Sequence, residues 1–266
     1  MTPTTQVFEY LSLGLLVFGF GLFVYLLALT PADEAPDVGV KGLKRKAVLE
    51  EGGLFNTIEP LMRWLARRIA GLPLHSTRAS INTQLRQAGE YLGLTADEYL
   101  ALCVLSTLGM LVAGVVIDQL ANIGGIFLLM FIGFGTILPH MQVSGEIERR
   151  FKQVNRGLPY SIDLVALTMS AGLDFPGALR QVTDKTADKT DALYEELLRI
   201  LQELELGRTR KQALLAFGDR CPTEAVRDFV SAVVQAEEKG NPLAEVLQIQ
   251  ADRKSTRLNS SHLVIS

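Results

Sequence analysis

Long apolar windows separate polar segments along the first half of the chain. Three windows contain no Asp, Glu, Lys or Arg: Tyr10 to Leu29, Tyr99 to Ile117 and Leu120 to Pro139. At about 1.5 Å of rise per residue, about 20 apolar residues cover the hydrocarbon core of a membrane, and a helix satisfies its own backbone polar groups there. The pattern therefore predicts three membrane-spanning helices.

Two other interpretations exist for these windows: buried core helices and, for the first window, a cleavable signal peptide. Residues 1–9 contain no Lys or Arg, whereas a signal peptide begins with a basic region. The mean hydropathy of +0.23 is also high for a soluble domain in which 21% of the residues are charged. These observations favour a membrane anchor.

Basic residues follow the first and third windows and predict the orientation in the membrane. Such residues are Lys41, Lys44, Arg45 and Lys46, and then Arg149, Arg150, Lys152 and Arg156. The N-terminus and the short connection Asp118-Gln119 carry no Lys or Arg. The positive-inside bias therefore predicts an N-terminus outside the cytoplasm, with residues 30–98 and everything after Pro139 cytoplasmic.

The segment between the first two windows mixes a linker with amphipathic helices. Residues 31–42 hold prolines and glycines that are typical of a linker. Apolar residues then recur at helical spacing from Ile58 to Ile69, with arginines off that stripe, and again from Ile81 to Ala88. The helix from Ile58 to Ile69 either lies on an anionic membrane surface or packs on the neighbouring cytoplasmic domain, and we favour packing.

Thr95 and Glu98 form a predicted capping box at the start of the second span.

From Leu158 onward the pattern is a bundle of short helices. Leu158 to Ala171 is predicted to be a core helix, because it is short and contains Asp163. Two later stripes predict core-facing helices: Leu193, Leu197, Ile200, Leu201 and Leu204, and then Val226, Phe229, Val230, Val233 and Val234. Beside the first stripe, the expected solvated residues are Glu195, Glu196, Arg199 and Glu203. The predicted fold class is all-α, a polytopic membrane protein with three transmembrane helices and a cytoplasmic helical bundle.

A glycine stands just before each of three new helices in this bundle. Gly172, Gly207 and Gly240 would each supply a left-handed helix stop. The next helices would be capped by Asp174, Thr209 and Asn241, and Pro242 suits a first helical position. The glycines mark either three ordinary corners or a duplicated helical hairpin whose loops share a face.

Residue patterns for catalysis are absent from the sequence. No phosphate-binding GxxxxGK[ST] run, GxSxG or HExxH motif occurs, and the three histidines, His75, His140 and His262, stand far apart. Cys103 and Cys221 lack the spacing of a metal or redox pair and are expected to be free thiols. The net charge of -3 gives no reason to expect nucleic acid as a partner. We expect no catalytic, cofactor-binding or metal site; a cation site among the acidic helix faces is the alternative.

Three stretches of this sequence resemble the type II secretion system F domain, in the version carried by tight-adherence (Tad) pilus platform proteins of the TadC or TadB type. They are Leu158 to Leu173, Leu204 to Gly207 and Val233 to Leu243. The order of elements is also similar: an anchor, a cytoplasmic segment, a paired-span hairpin and then the domain. The apolar windows, the basic residues and the resemblance together predict these divisions: 1–9, extracytoplasmic; 10–29, 99–117 and 120–139, spans; 30–98, a cytoplasmic linker with amphipathic helices; 140–253, F domain.

The resemblance implies a platform in the bacterial inner membrane that couples a cytoplasmic secretion ATPase to pilin subunits, without chemistry of its own. Other implied partners are membrane lipids and a paralogous platform protein or a second copy. Contacts with the ATPase or membrane are hypothesised for the corner loops and the basic residues: Arg149, Arg150, Lys152, Arg156, Gly172, Gly207, Glu237, Gly240 and Pro242. Competing interpretations are a transporter subunit or membrane enzyme, and a membrane-anchored signalling adapter.

The last residues depart from the family pattern. Residues 254–266 show no helical stripe and no span, and they are interpreted as a non-native tail on a truncated reading frame. A fourth span is expected in the intact protein.

Overall fold

A computed structural model describes residue 21 and residues 40–50, 54–121, 126–186, 190–240 and 246–247. These residues are helical with short turns and contain no strand, so the all-helical prediction is confirmed for them. The helices are α1 (Val40–Glu50), α2 (Leu54–Ala70), α3 (His75–Gln87), α4 (Ala96–Ala121), α5 (Ile126–Ser170), α6 (Phe175–Lys185), α7 (Ala192–Glu205), α8 (Arg210–Arg220) and α9 (Glu224–Lys239). The predicted first span, 10–29, lies outside the described residues except for Gly21.

The chain divides into two compact units, Met1–Gly145 and Glu146–Ser266. The division falls inside α5, which is one continuous helix of 45 residues. The sequence predicts a separate core helix beginning at Leu158, but the structure places Leu158 in the middle of α5. A single helix therefore supplies residues to both units.

In the first unit, helices α1, α2 and α3 pack around the beginning of α4. Helices α2 and α3 contact α4, and α1 contacts the 3₁₀ turn Tyr91–Gly93 just before it. Helix α1 was not predicted, because Gly42 within it and the prolines and glycine before it indicate a linker. It is held by tertiary contacts: the buried guanidinium of Arg45 lies 2.9 Å from Glu59 and 2.8 Å from Glu98.

The middle of the apolar stripe of α2 is buried, as the packing interpretation of this helix requires. Leu61, Met62 and Ala66 are buried in a unit where α2 packs on α4. The predicted capping box at the start of α4 is confirmed: the backbone N–H of Thr95 donates to the Glu98 carboxylate at 2.9 Å, and the Glu98 amide donates to the Thr95 hydroxyl at 3.3 Å.

Within the part of the chain that the structure describes, two helical stretches are long and apolar enough to cross a membrane: Ala96–Gln119 of α4 and Leu128–Ser170 of α5. Few of their residues are buried within the chain; Leu129 is 71% exposed and Phe134 58% exposed. A core helix of a soluble protein would instead be covered. Ala96–Gln119 contains the second predicted window, and Leu128–Ser170 contains residues 128–139 of the third. Together these stretches indicate a membrane protein.

Close packing at two glycines joins α4 to the start of α5 in a hairpin. A Cβ atom added at Gly135 would lie 2.8 Å from the Cα of Thr107, and one added at Gly114 would lie 3.0 Å from the Cβ of Phe131. Small residues allow such close approach between membrane helices. The predicted connection at residues 118 and 119 is part of α4 in the structure, and α5 begins at Ile126.

The second unit is a bundle formed by the later part of α5 with α6, α7, α8 and α9. The core takes one face from each helix, including Leu158 of α5, Phe175 of α6, Ile200 of α7, Phe217 of α8 and Val233 of α9. Both predicted stripes contribute to this core. The bundle consists of two hairpins, α6 with α7 and α8 with α9, which contact each other through α7 and α8.

Candidate functional site: the corner end of the bundle

The three corner glycines of the second unit adopt the left-handed backbone conformation. Their φ angles are +103° at Gly172, +85° at Gly207 and +69° at Gly240. An L-residue pays a steric penalty there, because its Cβ approaches the following carbonyl oxygen. The glycines therefore perform the helix-stopping role that the sequence predicts.

Side-chain caps start the helices that follow the first two corners. Asp174 accepts a hydrogen bond from the backbone N–H of Gly177 at 3.1 Å. Thr209 and Gln212 form a complete capping box, with both hydrogen bonds at 3.2 Å. The predicted caps Asp174 and Thr209 are thus confirmed. Asn241 and Pro242 lie outside the described residues.

Contacts between helix ends bring the three corners together at one end of the bundle. The guanidinium of Arg210, which follows the second corner, lies over the ring of Phe175, which follows the first corner, at 5.2 Å from its centroid. Lys211 bonds Glu238, two residues before the third corner, at 2.5 Å. Arg180 and Glu205 form a further ion pair across the first hairpin. We call residues 171–175, 206–211 and 237–240 the corner surface.

The corner surface combines exposed leucines with charges of both signs. Leu206 is 85% exposed and Leu173 is 41% exposed, each beside its corner glycine. Glu237, Glu238 and Lys239 are exposed beside the third corner. The hydrogen bond between Lys211 and Glu238 raises the pKa of the lysine and lowers that of the glutamate, so both remain charged at neutral pH. Exposed apolar side chains among fixed charges are typical of a protein-binding surface.

The predicted basic contact residues do not form one surface with the corners. Arg156 and Gly172 are 16 positions apart along α5 and its end, which corresponds to roughly 24 Å. Arg149, Lys152 and Arg156 are exposed on α5, and the first two pair with Glu146 and Glu148. The structure therefore separates these three exposed basic residues from the corner surface.

Arg150 is buried, so it does not share the surface of its basic neighbours. Its Nη1 atom lies 2.7 Å from Glu195, and its Nη2 atom lies 3.5 Å from Glu196. Only 6% of its side chain is exposed. The residue is part of an interior ion network instead.

This network extends through Glu196 to the buried Arg220. The Nε atom of Arg220 lies 2.7 Å from Glu196, and its Nη1 atom lies 3.0 Å from Glu203. The prediction that Glu196 is solvated is wrong, because two guanidinium groups compensate its charge inside the bundle. Glu196 stands three residues after Leu193 and four before Ile200. This spacing places it on the same helix face as the core-facing stripe, so the sequence contained a signal for its burial.

Cys221 lies at the same buried place, directly after Arg220. Burial, followed by the charge of Glu196, raises the pKa of its thiol to about 12, against the lowering effect of Arg150 and Arg220. Both Cys103 and Cys221 are free thiols, as predicted. Low nucleophilicity is expected for such a thiol, since the thiolate is the reactive form.

Within the described ranges, no three His, Cys, Asp or Glu side chains converge as metal ligands. His75 and His140 are exposed on α3 and α5, and His262 lies outside those ranges. The expectation that this chain lacks a catalytic site stays a prediction.

Residues 161–261 match the family model of type II secretion system (T2SS), protein F. The match covers most of the second unit, including the three corner glycines, and supports that family for this part of the chain. No curated protein and no solved structure matches the chain. Proteins of the matched family are membrane platform proteins of secretion or pilus assemblies. The matched range extends past Arg253 into the segment interpreted as a tail, and that interpretation stays a prediction.

Proposed function

We propose that the chain is an inner-membrane platform protein of a Tad-type pilus, with the bundle coupling a cytoplasmic secretion ATPase to the assembly of pilin subunits. The observation that carries the proposal is the family match over residues 161–261, combined with two long apolar helices in the same chain. The Tad subtype rests on the sequence resemblance and the order of elements.

The corner surface is the proposed contact with the ATPase. It lies at the Ser170 end of α5, and the chain enters the second unit at the other end of that helix, near Glu146. The exposed Leu173 and Leu206 provide the apolar centre of the contact, and the surrounding ion pairs provide its polar rim.

The exposed basic residues of α5 form a second proposed contact. Arg149, Lys152 and Arg156 recur at three and four residue spacing and therefore lie along one helix face. They stand near the point where the chain enters the second unit. Phospholipid or a second platform subunit is the proposed partner there.

Chemical crosslinking in the native host, followed by affinity purification of the tagged full chain, tests the ATPase contact. The double variant Leu173→Ser/Leu206→Ser should lose the crosslinked ATPase and filament assembly, because it removes exposed apolar area without touching the core. A matched control is Leu215→Ser, which replaces another exposed leucine of the bundle, 46% exposed.

Purification of the wild-type chain without any secretion ATPase or pilin-like protein would contradict the platform proposal. Normal ATPase recovery with the double corner variant would instead contradict only the assignment of the contact surface.

A further inference from the structure

Helix α1 docks in the first unit through charged groups rather than through apolar burial. Among its side chains that the structure describes, no apolar one is buried, and the buried one is that of Arg45. The Arg45 guanidinium lies 2.9 Å from Glu59 of α2 and 2.8 Å from Glu98 of α4. An element that buries little apolar area can open locally at a low cost in free energy.

The turn beneath α1 has a left-handed backbone at four of its five residues, 89–93. The φ angles are +75° at Gly89, +59° at Glu90, +50° at Leu92 and +67° at Gly93. Glycine adopts this conformation freely, whereas Glu90 and Leu92 pay a steric penalty for it. Strained residues of this kind persist when the surrounding structure holds them in place. We call residues 89–93 the joint turn.

Helix α1 supplies contacts that hold the joint turn at both of its ends. The Nζ atom of Lys44 donates a hydrogen bond to the backbone carbonyl of Gly89 at 2.9 Å. The Nζ atom of Lys41 lies 3.2 Å from the Glu90 carboxylate. At the other end, a Cβ atom added at Gly93 would overlap the backbone carbonyl oxygen of Lys41. The strained segment and the weakly buried helix therefore lie directly against each other.

The joint turn connects α3 to α4, which is a candidate membrane-crossing helix. Glu98, the partner of Arg45, also belongs to the capping box that starts α4. Only residues 30–39 separate α1 from the predicted first span, so a displacement of that span would act on α1 first.

We propose that α1 is a releasable strap on the joint between α3 and α4. In the docked state it holds the joint turn in its left-handed conformation. On release α1 leaves as a unit, and Glu90 and Leu92 return to ordinary backbone regions, which loosens the joint. The proposal rests on contacts within the first unit and does not depend on the platform function.

Hydrogen exchange of the purified full chain in nanodiscs, followed by mass spectrometry, tests the strap. In the wild type, residues 40–50 should exchange at least about tenfold faster than the buried part of α2, residues 61–66, because α1 opens locally. Residues 89–94 should respond together with α1 whenever either of them is altered, because a coupling between two elements is reciprocal.

Two variants alter one element and are read on the other. Arg45→Gln weakens buried charged hydrogen bonds of α1 and should make residues 89–94 exchange about tenfold faster. Gly93→Ala changes no charge, but its methyl group strains the turn and meets the backbone of α1. It should make residues 40–50 exchange about tenfold faster.

Control variants keep the docking contacts intact. Glu50→Gln replaces an exposed residue of α1. Gly71→Ala places a methyl group in the same unit at 3.8 Å from the nearest listed atom, the carbonyl oxygen of Arg68. Both controls should leave the exchange of α1 and of the joint turn unchanged.

A pair of variants at Leu92 tests whether the turn stores strain. Leu92→Gly and Leu92→Ala both remove the leucine side chain, but only glycine adopts the left-handed conformation freely. Glycine thus favours the docked turn, and residues 40–50 should exchange about fivefold more slowly in Leu92→Gly than in Leu92→Ala. Equal exchange of α1 in the two variants would overturn the coupling between strap and turn.

Three other results would also overturn the proposal. The first is equal protection of α1 and α2 in the wild type. The second is an Arg45→Gln variant that frees α1 but leaves residues 89–94 protected. The third is loss of protection throughout residues 54–87 in that variant, because α1 would then belong to the cooperative core. Failure of the platform proposal changes none of these results, because the experiment needs neither ATPase nor pilin.

Discussion

The Nε atom of Arg220 lies 2.7 Å from the carboxylate of Glu196 inside the second unit, where their side chains are 10% and 2% exposed. Arg150 approaches the same carboxylate from α5. The carboxylate thus links α5, α7 and α8 through charges that water does not reach. Removing this carboxylate leaves Arg150 with Glu195 alone and Arg220 with Glu203 alone, and it takes away the most deeply buried counter-charge of the network.

Glu196→Gln should therefore lower the free energy of unfolding of the bundle by about 1.5–3 kcal/mol, because it weakens buried charged hydrogen bonds while each arginine keeps one carboxylate partner. The matched control is Glu195→Gln on the same helix. Glu195 also pairs with Arg150, but 34% of its side chain is exposed, so a loss of about 1 kcal/mol or less is expected. Denaturant unfolding of the full chain in detergent, followed by circular dichroism, measures both changes. Similar losses for the two variants would argue against a special role for the buried pair.

Gly207→Ala should destabilise the corner by about 1–2 kcal/mol, because alanine is strained at a φ of +85°. No atom lies within 4 Å of the added methyl group, so the cost is that of the backbone alone. Gly145→Ala is the control, since this helical glycine also has open space around it. It should be neutral or stabilising by up to about 1 kcal/mol. Thermal unfolding with opposite shifts for the two variants is the expected result.

Gly135→Ala should weaken the pairing of α4 with α5, because the new methyl group would stand 2.8 Å from the backbone of Thr107. Gly133→Ala, two residues earlier on the same helix, meets no atom within 4 Å and should be tolerated. Resistance of the purified protein to dissociation of its helices in increasing sodium dodecyl sulfate reports on this pairing. Equal resistance of the two variants would contradict the close contact.

The thiol of Cys221 should resist alkylation in the folded protein and react quickly after unfolding. Burial raises its pKa to about 12, so little thiolate exists at pH 8. Maleimide labelling of a Cys103→Ser variant, with and without denaturant, measures this difference. Rapid labelling of the folded protein would show that Cys221 is accessible.

The raised pKa of Cys221 also predicts a dependence of stability on alkaline pH. Because the folded state holds the thiol proton more tightly than the unfolded state, this contribution is complete below pH 9 and is lost as the pH rises towards 12. Cys221→Ala should remove this component. The difference between wild type and variant in unfolding midpoint, followed from pH 8 to pH 11, is the measurement. An unchanged difference over that range would contradict the prediction.

The corner glycines and their caps were predictable because they depend on neighbouring residues. Gly207 needs only its own φ angle, and the box of Thr209 with Gln212 spans three positions. Their gathering at one end of the bundle depends on Arg210 reaching Phe175 and Lys211 reaching Glu238, contacts between residues about 30 positions apart. The spacing of the three glycines in the sequence is compatible with loops that share one face, but it does not require that arrangement.

Helix α1 shows that local signals can also fail to predict a helix. Gly42 and the residues just before α1 indicate a linker, whereas in the structure Arg45 of this helix forms ion pairs with Glu59 and Glu98.

The sequence by itself determined the all-helical class, the second and third apolar windows, the helix caps and stops, and the resemblance of the later part of the chain. These features follow from hydrophobic period and from backbone preferences within a few residues. Only the tertiary structure decided that Arg150 and Glu196 are buried partners and that the corners lie apart from the exposed basic residues of α5. Arg150 and Glu196 are 46 positions apart, and a charge is buried or solvated according to what packs against it.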